Sequence, residues 1–213
     1  MKLLFTGASG FLGSNVRPLL EGMYGVKTVG LSPKDDYTID IAKEIPVLRE
    51  RYDIVLHVAG KAHSVPKTEA ERQVFFDVNL QGTKNLCTAL ERRRVPRAFI
   101  FISTVAVYGC AYGENITEDH PLDGDTPYAM SKRLAEEYLQ KWCYEHNVIL
   151  GIIRPSLIAG PNSGKSGGYD SWYPQWEIPQ HCWRSGTKEC IDGTGYCKVG
   201  LSVGRKGRHL QCM

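Results

Sequence analysis

The chain has 213 residues, of which 42% are hydrophobic and 23% charged, and its formal net charge is +3. This length suits a domain with a substantial core, and the composition excludes collagen-like, coiled-coil and disordered chains. No run approaches the ~20 apolar residues that span a bilayer, and the apolar start ends at Thr6, too early for a signal peptide. We therefore expect a cytoplasmic protein with free thiols and with no membrane or nucleic-acid partner.

The first 161 residues alternate between strand and helix patterns. Five apolar runs predict buried parallel strands, at 2–6, 26–31, 53–58, 98–103 and 148–153. Four helical patterns separate them, at 11–23, 42–50, 69–92 and 128–146. This alternation predicts an α/β fold with a doubly wound parallel sheet, the Rossmann fold, whose ligands bind at the carboxyl ends of the strands.

A glycine-rich turn follows the first predicted strand. Gly7, Gly10 and Gly13 have the spacing G-x-x-G-x-x-G and precede a predicted helix. Gly7 permits a sharp turn, Gly10 lets backbone amides approach a pyrophosphate at the positive helix end, and Gly13 permits close packing of helix on strand. An ordinary strand–helix turn is the alternative, but the position directly after the first strand favours a dinucleotide site.

A second pattern lies at the start of the last predicted helix. Asp125 or Thr126 can cap this helix, with Pro127 in its first position. Tyr128 and Lys132 are four residues apart and therefore share a helix face. The ammonium group and the positive helix end both favour the phenolate, so we expect both to lower the pKa of Tyr128. Such a pair suits proton transfer to or from a hydroxyl or carbonyl, although the same spacing is common on solvated faces.

Hydroxyl residues end the strand predicted at 98–103. Ser103 and Thr104 stand there, ahead of the segment Val107, Tyr108 and Gly109. A hydroxyl group at this strand end faces the same crevice as Tyr128 and can hydrogen-bond a reacting oxygen. A polar strand end without a function is the alternative.

With these motifs in this order, the sequence resembles the extended short-chain dehydrogenase/reductases. Within them it is most similar to the NAD-dependent epimerase/dehydratase family, the relatives of UDP-glucose 4-epimerase. The resemblance covers residues 1–161 and includes three further segments, at 57–60, 77–86 and 154–161. The implied cofactor is NAD, the implied substrate a nucleotide sugar and the implied assembly a homodimer, without a metal.

The resemblance also implies which residues form the site. The residues expected to bind the cofactor are Gly7, Gly10, Phe11, Leu12, Gly13, Ser32, Asp40, Ile41, Ala59, Gly60, Asn79, Tyr128 and Lys132. The expected catalytic residues are Thr104, Tyr128 and Lys132, with Tyr128 as the general base. For Asn79 a purely structural amide is the alternative. NADP stays open, because Ser32 and Lys34 follow the second strand, where members that prefer NAD usually carry an acid.

The activity implied is C4 epimerisation of a nucleotide sugar by transient hydride transfer through a 4-keto intermediate. Dehydratases of this branch usually carry an Asp-Glu pair directly after the catalytic hydroxyl, whereas this chain has Val105 and Ala106. A dehydratase is therefore disfavoured. Two alternatives remain, a nucleotide-linked 4-keto-sugar reductase and a non-catalytic dinucleotide-binding module.

Residues 162–213 do not continue the pattern. They carry the whole net charge and show no strand or helix periodicity. We expect this tail to be out of frame and to replace the last strands and the substrate domain. The sheet should then end at 148–153 with an unpaired edge, and the chain should be poorly soluble and weakly active. A phosphate loop at 159–166 lacks the flanking strand and helix that it needs. A zinc site is disfavoured by the spacing of its candidate ligands, His181, Cys182, Cys190 and Cys197.

Overall fold

The computed structural model describes residues 1–62, 64–110, 116–156 and 158, and the backbone of 209–212. Within this part of the chain, parallel strands form one sheet in the order β3-β2-β1-β4-β5-β6-β7. The strands are β1 (Lys2–Thr6), β2 (Gly25–Gly30), β3 (Tyr37–Thr38), β4 (Ile54–His57), β5 (Ala98–Ile102), β6 (Ile149–Ile153) and β7 (His209–Cys212). The chain moves outward from β1 to β3 and then returns to β4 on the other side of β1. This reversal opens a crevice at the carboxyl ends of β1 and β4 and confirms the doubly wound fold.

Helices cover both faces of the sheet. They are α1 (Phe11–Glu21), α2 (Glu69–Phe76), α3 (Gly82–Arg93) and α4 (Pro127–Glu145). Successive strand residues point to opposite faces. Phe5 packs with Leu20 of α1 on one face, whereas Leu4 belongs to the larger core that Leu86 of α3 and Leu139 of α4 complete on the other. None of the helices in the described residues is both long and apolar enough to cross a membrane.

Two short helical segments interrupt the regular elements. A π-helical turn, Asp77–Gln81, joins α2 to α3, and a 3-10 turn, Val105–Tyr108, follows β5. The helix predicted at 69–92 is therefore present but contains one wider turn. Turns of this kind are frequent at functional sites, because the extra residue redirects side chains out of the helical register.

The helix predicted at 42–50 is wrong. The structure has a single turn there, in which the amides of Lys43 and Glu44 both donate to the carbonyl of Asp40 at 3.0 Å. Pro46 cannot donate a backbone hydrogen bond, and it disfavours helical backbone in the residue before it. The segment therefore leaves the helix after one turn.

The expectation that the sheet ends at β6 with an unpaired edge is also wrong. β7 pairs with β6 in parallel, with Leu150 opposite His209 and Ile153 opposite Cys212. An edge strand offers unpaired amides and carbonyls, and pairing with them requires only backbone groups. A four-residue strand can therefore form without a side-chain pattern visible in the sequence. The predictions for 162–208 (the tail, the phosphate loop and the zinc ligands) lie outside the described residues.

A buried chain of hydrogen bonds connects the ends of β1 and β4 to α3. The Thr83 hydroxyl donates to the carbonyl of Asn79 at 2.6 Å, so it accepts from Nε2 of His57 at 2.9 Å. Nδ1 of His57 is then the acceptor for the Thr6 hydroxyl at 2.6 Å. The Thr6 oxygen in turn accepts from the amide of Ala59 at 3.2 Å. With a neutral His57, this direction gives both ring nitrogens and both hydroxyl protons a partner.

Burial, aided by the charge of Lys132, lowers the pKa of His57 from 6.5 to about 3. The unfolded chain takes up a proton at this residue below about pH 6.5, whereas the folded chain does so only near pH 3. We therefore expect His57 to reduce the free energy of unfolding by roughly 3–5 kcal/mol as the pH falls through this window.

Urea denaturation of the full chain between pH 7 and pH 4 measures this loss. The His57→Asn variant should be less stable at pH 7 but should lose less stability on acidification than the parent. His146→Gln is the matched control, because it removes a partly exposed imidazole near the end of α4 and keeps the buried His57. Equal slopes for the parent and His57→Asn would contradict a neutral buried His57.

Candidate functional site

The glycine turn between β1 and α1 is packed too tightly for side chains at two of its three glycines. Gly7 has φ +74°, and a Cβ on it would lie 2.6 Å from the amide nitrogen of Ala59. A Cβ on Gly13 would lie 2.1 Å from the carbonyl oxygen of Gly7. A Cβ on Gly10 would meet only that same oxygen, at 3.4 Å. The fold itself thus requires Gly7 and Gly13, whereas Gly10 faces open space.

The amino-terminal end of α1 carries free backbone donors. Gly10 occupies the N-cap position, where no side chain caps the helix. The amide of Ser14 is the first to bond within the helix, to the carbonyl of Gly10 at 2.8 Å. The amides of Phe11, Leu12 and Gly13 therefore have no acceptor within the helix. A positive helix end with free donors and no acidic residue in its first turn fits a pyrophosphate.

The loop after β4 is held against the sheet by Asn79, which lies in the π-helical turn. Its Oδ1 accepts from the amide of Lys61 at 2.8 Å, and its Nδ2 donates to the carbonyl of Lys61 at 3.1 Å and to the hydroxyl of Ser131 at 2.9 Å. A Cβ on Gly60 would lie 3.0 Å from both Asn79 Oδ1 and Lys132 Nζ. Asn79 therefore brings the Ala59–Gly60 segment beside the ammonium group, while its own contact with a cofactor stays a prediction.

Lys132 is a buried cation at the centre of this cluster. Its Nζ donates to the carbonyl of Ile102 at 2.8 Å and lies 4.6 Å from the centre of the Phe101 ring. Burial lowers the pKa of Lys132 to about 8, against the opposing charge of Glu136 one turn along α4. The group therefore stays protonated at neutral pH, close to the point at which it could lose its proton.

Tyr128 lies in the first turn of α4, as the sequence predicts. Thr126 caps the helix, accepting from the amide of Ala129 at 3.1 Å, and Pro127 takes the first position. The phenol ring packs near Phe75 of α2, with ring centres 6.3 Å apart. The Thr126 cap, Pro127 and the contact with Phe75 together hold the phenol in position.

Thr104 and Tyr128 meet across the crevice. The Thr104 oxygen accepts from the amide of Ala106 at 3.2 Å, and its hydroxyl lies near enough to the Tyr128 phenol to lower the pKa of that group. Burial raises the pKa of Tyr128, and the nearby Thr104 hydroxyl opposes that rise. The predicted lowering of this pKa is therefore wrong for the protein without ligands. Desolvation of the phenolate is the largest effect, and Lys132 donates instead to the carbonyl of Ile102.

The remaining predicted residues lie on the other side of β1, at the ends of β2 and β3. The amide of Ser32 donates to Oδ2 of Asp35 at 3.0 Å, so a buried carboxylate does stand near the end of β2. Ile41 is buried, and its carbonyl accepts from Asn85 at 2.8 Å. Asp40 accepts from a turn amide at 3.1 Å. The structure thus separates these residues from the cluster around Tyr128, with the glycine turn between the two groups.

A buried ion pair that the sequence did not predict lies beside the cluster around Tyr128 and Lys132. Arg154 binds Glu136 through Nη2 at 2.6 Å and Nε at 3.1 Å, and donates through Nη1 to the hydroxyl of Tyr108 at 2.8 Å. These contacts join the end of β6, α4 and the 3-10 turn that begins after Thr104. The spacing of Glu136, four residues after Lys132, was the available signal, because residues at that spacing share a helix face.

Comparisons with known proteins agree with this geometry. The family model described as the NAD dependent epimerase/dehydratase family matches residues 3–177. Bovine dTDP-D-glucose 4,6-dehydratase is 34% identical over 68% of this chain and 39% of its own length. UDP-glucose 4-epimerase of Vibrio cholerae is 32% identical over 75% of this chain and 52% of its own length. GDP-6-deoxy-D-mannose reductase of Pseudomonas aeruginosa is 30% identical over 78% of this chain and 55% of its own length.

Solved structures share the fold. RMD from Pseudomonas aeruginosa, complexed with NADPH, has a TM-score of 0.64 at 29% identity, covering 78% of this chain and 57% of its own. UDP-glucuronic acid 4-epimerase from Bacillus cereus, in complex with NAD, has a TM-score of 0.63 at 25% identity, covering 76% and 58%. The chain thus spans about half the length of the proteins it matches. Its glycine turn, the cluster around Tyr128 and Lys132, and the family match across most of its residues lead to one conclusion. The chain belongs to the NAD-dependent epimerase/dehydratase family.

Proposed function

We propose that this chain forms the NAD(P)-binding and catalytic part of a nucleotide-sugar 4-epimerase. The observation that carries the proposal is that Thr104 lies near Tyr128 and that Lys132 follows one turn later on the same helix, beside a glycine turn suited to a dinucleotide. The turn that follows Thr104 begins with Val105 and Ala106, which have no acidic group. Elimination of water from the sugar, the step that defines a dehydratase, therefore lacks its acid at these positions.

The residues present fit a nicotinamide dinucleotide. When bound, that cofactor supplies an acceptor that takes up a hydride and can return it, and its oxidised ring is a cation. Gly10 and the free amides of α1 would hold the pyrophosphate, Asp40 and Ile41 would lie beside the adenine, and Ala59–Gly60 would line the path to the nicotinamide. The substrate pocket and a homodimer remain predictions from the family resemblance.

In the proposed reaction Tyr128 moves the proton. Its oxygen takes the proton from the sugar 4-hydroxyl, while the Thr104 hydroxyl hydrogen-bonds the same sugar oxygen. The 4-keto sugar turns over in the pocket and accepts the proton again from Tyr128. Burial holds the pKa of Tyr128 above its ordinary value, so the phenol needs nearby positive charge to lose its own proton and act as the base. The ammonium of Lys132, on the same helix face, would supply that charge.

A reductase acting on a nucleotide-linked 4-keto sugar is the second candidate. The exposed Lys34 near the end of β2 supports it, because an ammonium group there suits the extra phosphate of NADP. Cofactor stoichiometry separates the two candidates. An epimerase interconverts its sugars without net consumption of NAD(P)H, whereas a reductase consumes one equivalent per product, which absorbance of the reduced nicotinamide measures directly. Tight dinucleotide binding without turnover of any nucleotide sugar would instead support the non-catalytic module.

Alanine substitutions in the glycine turn should separate the effect on NADH binding from the effect on stability. Gly10→Ala should change the free energy of unfolding by less than about 1 kcal/mol, because its Cβ enters open space, yet weaken NADH binding at least about tenfold by blocking the pyrophosphate. Gly13→Ala should destabilise the fold itself by about 2 kcal/mol or more, because its Cβ meets the backbone of Gly7.

Fluorescence titration with NADH and thermal melting measure the two effects. Gly22→Ala is the matched control, since the nearest atom to its Cβ would be 3.6 Å away and the residue lies at the far end of α1. It should leave both binding and stability near those of the parent. Undiminished NADH binding by Gly10→Ala would exclude the glycine turn as the pyrophosphate site.

Removal of the Tyr128 hydroxyl tests the proposed role of this residue in proton transfer. Tyr128→Phe should lower turnover of a nucleotide sugar at least about a thousandfold, since general acid–base groups contribute on this scale, and should still bind NADH. Tyr144→Phe alters an 84% exposed phenol on the same helix and serves as the control. Anion-exchange separation of the sugar epimers measures turnover, and an unchanged rate in Tyr128→Phe would reject the assignment.

A further inference from the structure

A thiol and an imidazole lie in contact outside the catalytic cluster. Sγ of Cys110 is 3.4 Å from Nε2 of His120 and 3.6 Å from the carbonyl oxygen of Tyr108. Cys110 is exposed, whereas Cys87 and Cys143, the other cysteines whose surroundings the structure describes, are buried. Burial raises the pKa of Cys143 to about 12 and that of Cys87 above its ordinary value, so both stay protonated and inert at neutral pH.

His120 is held in place for this contact. The ring of Tyr108 meets the His120 ring edge-on, with centres 5.9 Å apart. The Tyr108 hydroxyl in turn accepts from Arg154, which also donates to the carbonyl of Glu118 at 3.3 Å. The imidazole therefore rests on a buried ion-pair network and does not depend on an exposed loop alone.

We propose that Cys110 is a thiol-modification site at which His120 acts as the base. His120 Nε2 takes the proton from Sγ, and the thiolate attacks one sulfur of a small disulfide such as glutathione disulfide. A new sulfur–sulfur bond forms at Cys110 as the old one breaks. The departing thiolate takes the proton from the imidazolium and leaves as a thiol, so the incoming disulfide is the only oxidant that the step needs.

The site lies at a junction of two functional segments. Cys110 directly follows Gly109, which ends the 3-10 turn in a left-handed conformation and packs so closely that a Cβ on it would lie 2.8 Å from the carbonyl carbon of Asp123. His120 belongs to the segment that leads into the Thr126 cap of α4. A mixed disulfide at Cys110 therefore adds bulk next to the turn that follows Thr104 and against His120, in the segment that leads into α4.

Reaction of the full chain with glutathione disulfide at pH 7, followed by acid quenching and peptide mass mapping, tests the proposal. The adduct should form on the Cys110 peptide at least about tenfold faster than on the Cys87 and Cys143 peptides. His120→Gln should slow it at least about fivefold, since an amide cannot accept the proton. His146→Gln, which alters a histidine near the end of α4, should leave the rate unchanged, and Cys110→Ser should give no adduct on that peptide.

A second measurement needs no variant. In the native chain Cys110 should react faster than the same cysteine in the urea-denatured chain, where His120 no longer faces it. The proposal is overturned if the native rate does not exceed the denatured rate. It is equally overturned if His120→Gln, with an unchanged circular dichroism spectrum, reacts as fast as the parent.

Discussion

The burial of the Lys132 ammonium group is the constraint around which the functional edge of this protein is arranged. An unpaired charge in the interior costs several kcal/mol, so its surroundings must compensate for lost water. Three features do so, namely the carbonyl of Ile102, the face of the Phe101 ring and the negative charge of Glu136. Because these groups belong to β5 and α4, strand and helix must stay in register for the charge to be tolerated.

Two buried networks lie next to Lys132, one of neutral hydrogen-bonding groups and one that contains an ion pair. On the β1 and β4 side, the chain from Thr6 through His57 to Thr83 is neutral, and the charge of Lys132 helps to keep His57 unprotonated. On the β6 side, Arg154 and Glu136 form a buried ion pair that also reaches Tyr108. Lys132 thus remains the positive charge of this cluster outside the ion pair, on the helix face that Tyr128 shares. The proton transfer that we propose for Tyr128 needs this distribution of charge, since it favours the phenolate.

Local features of this fold were predictable because neighbouring residues decide them. The Thr126 cap with Pro127 follows from hydrogen bonding within one turn, and the requirement for glycine at position 7 follows from its positive φ. The helix expected at 42–50 failed on an equally local feature, Pro46, which cannot donate a backbone hydrogen bond within a helix. The π-helical turn that places Asn79 had no such signal, because a one-residue widening leaves the helical pattern of 69–92 almost intact.

The sequence by itself determined the alternation of strands and helices, the glycine turn and the shared helix face of Tyr128 and Lys132, since each depends on spacing along the chain. Only the tertiary structure decided the protonation of the site. The raised pKa of Tyr128 and the lowered pKa of Lys132 result from burial by residues distant in sequence, and the pairing of β7 with β6 joins strands more than fifty residues apart. Desolvation and edge pairing depend on which surfaces meet in space, and spacing along a chain does not contain that information.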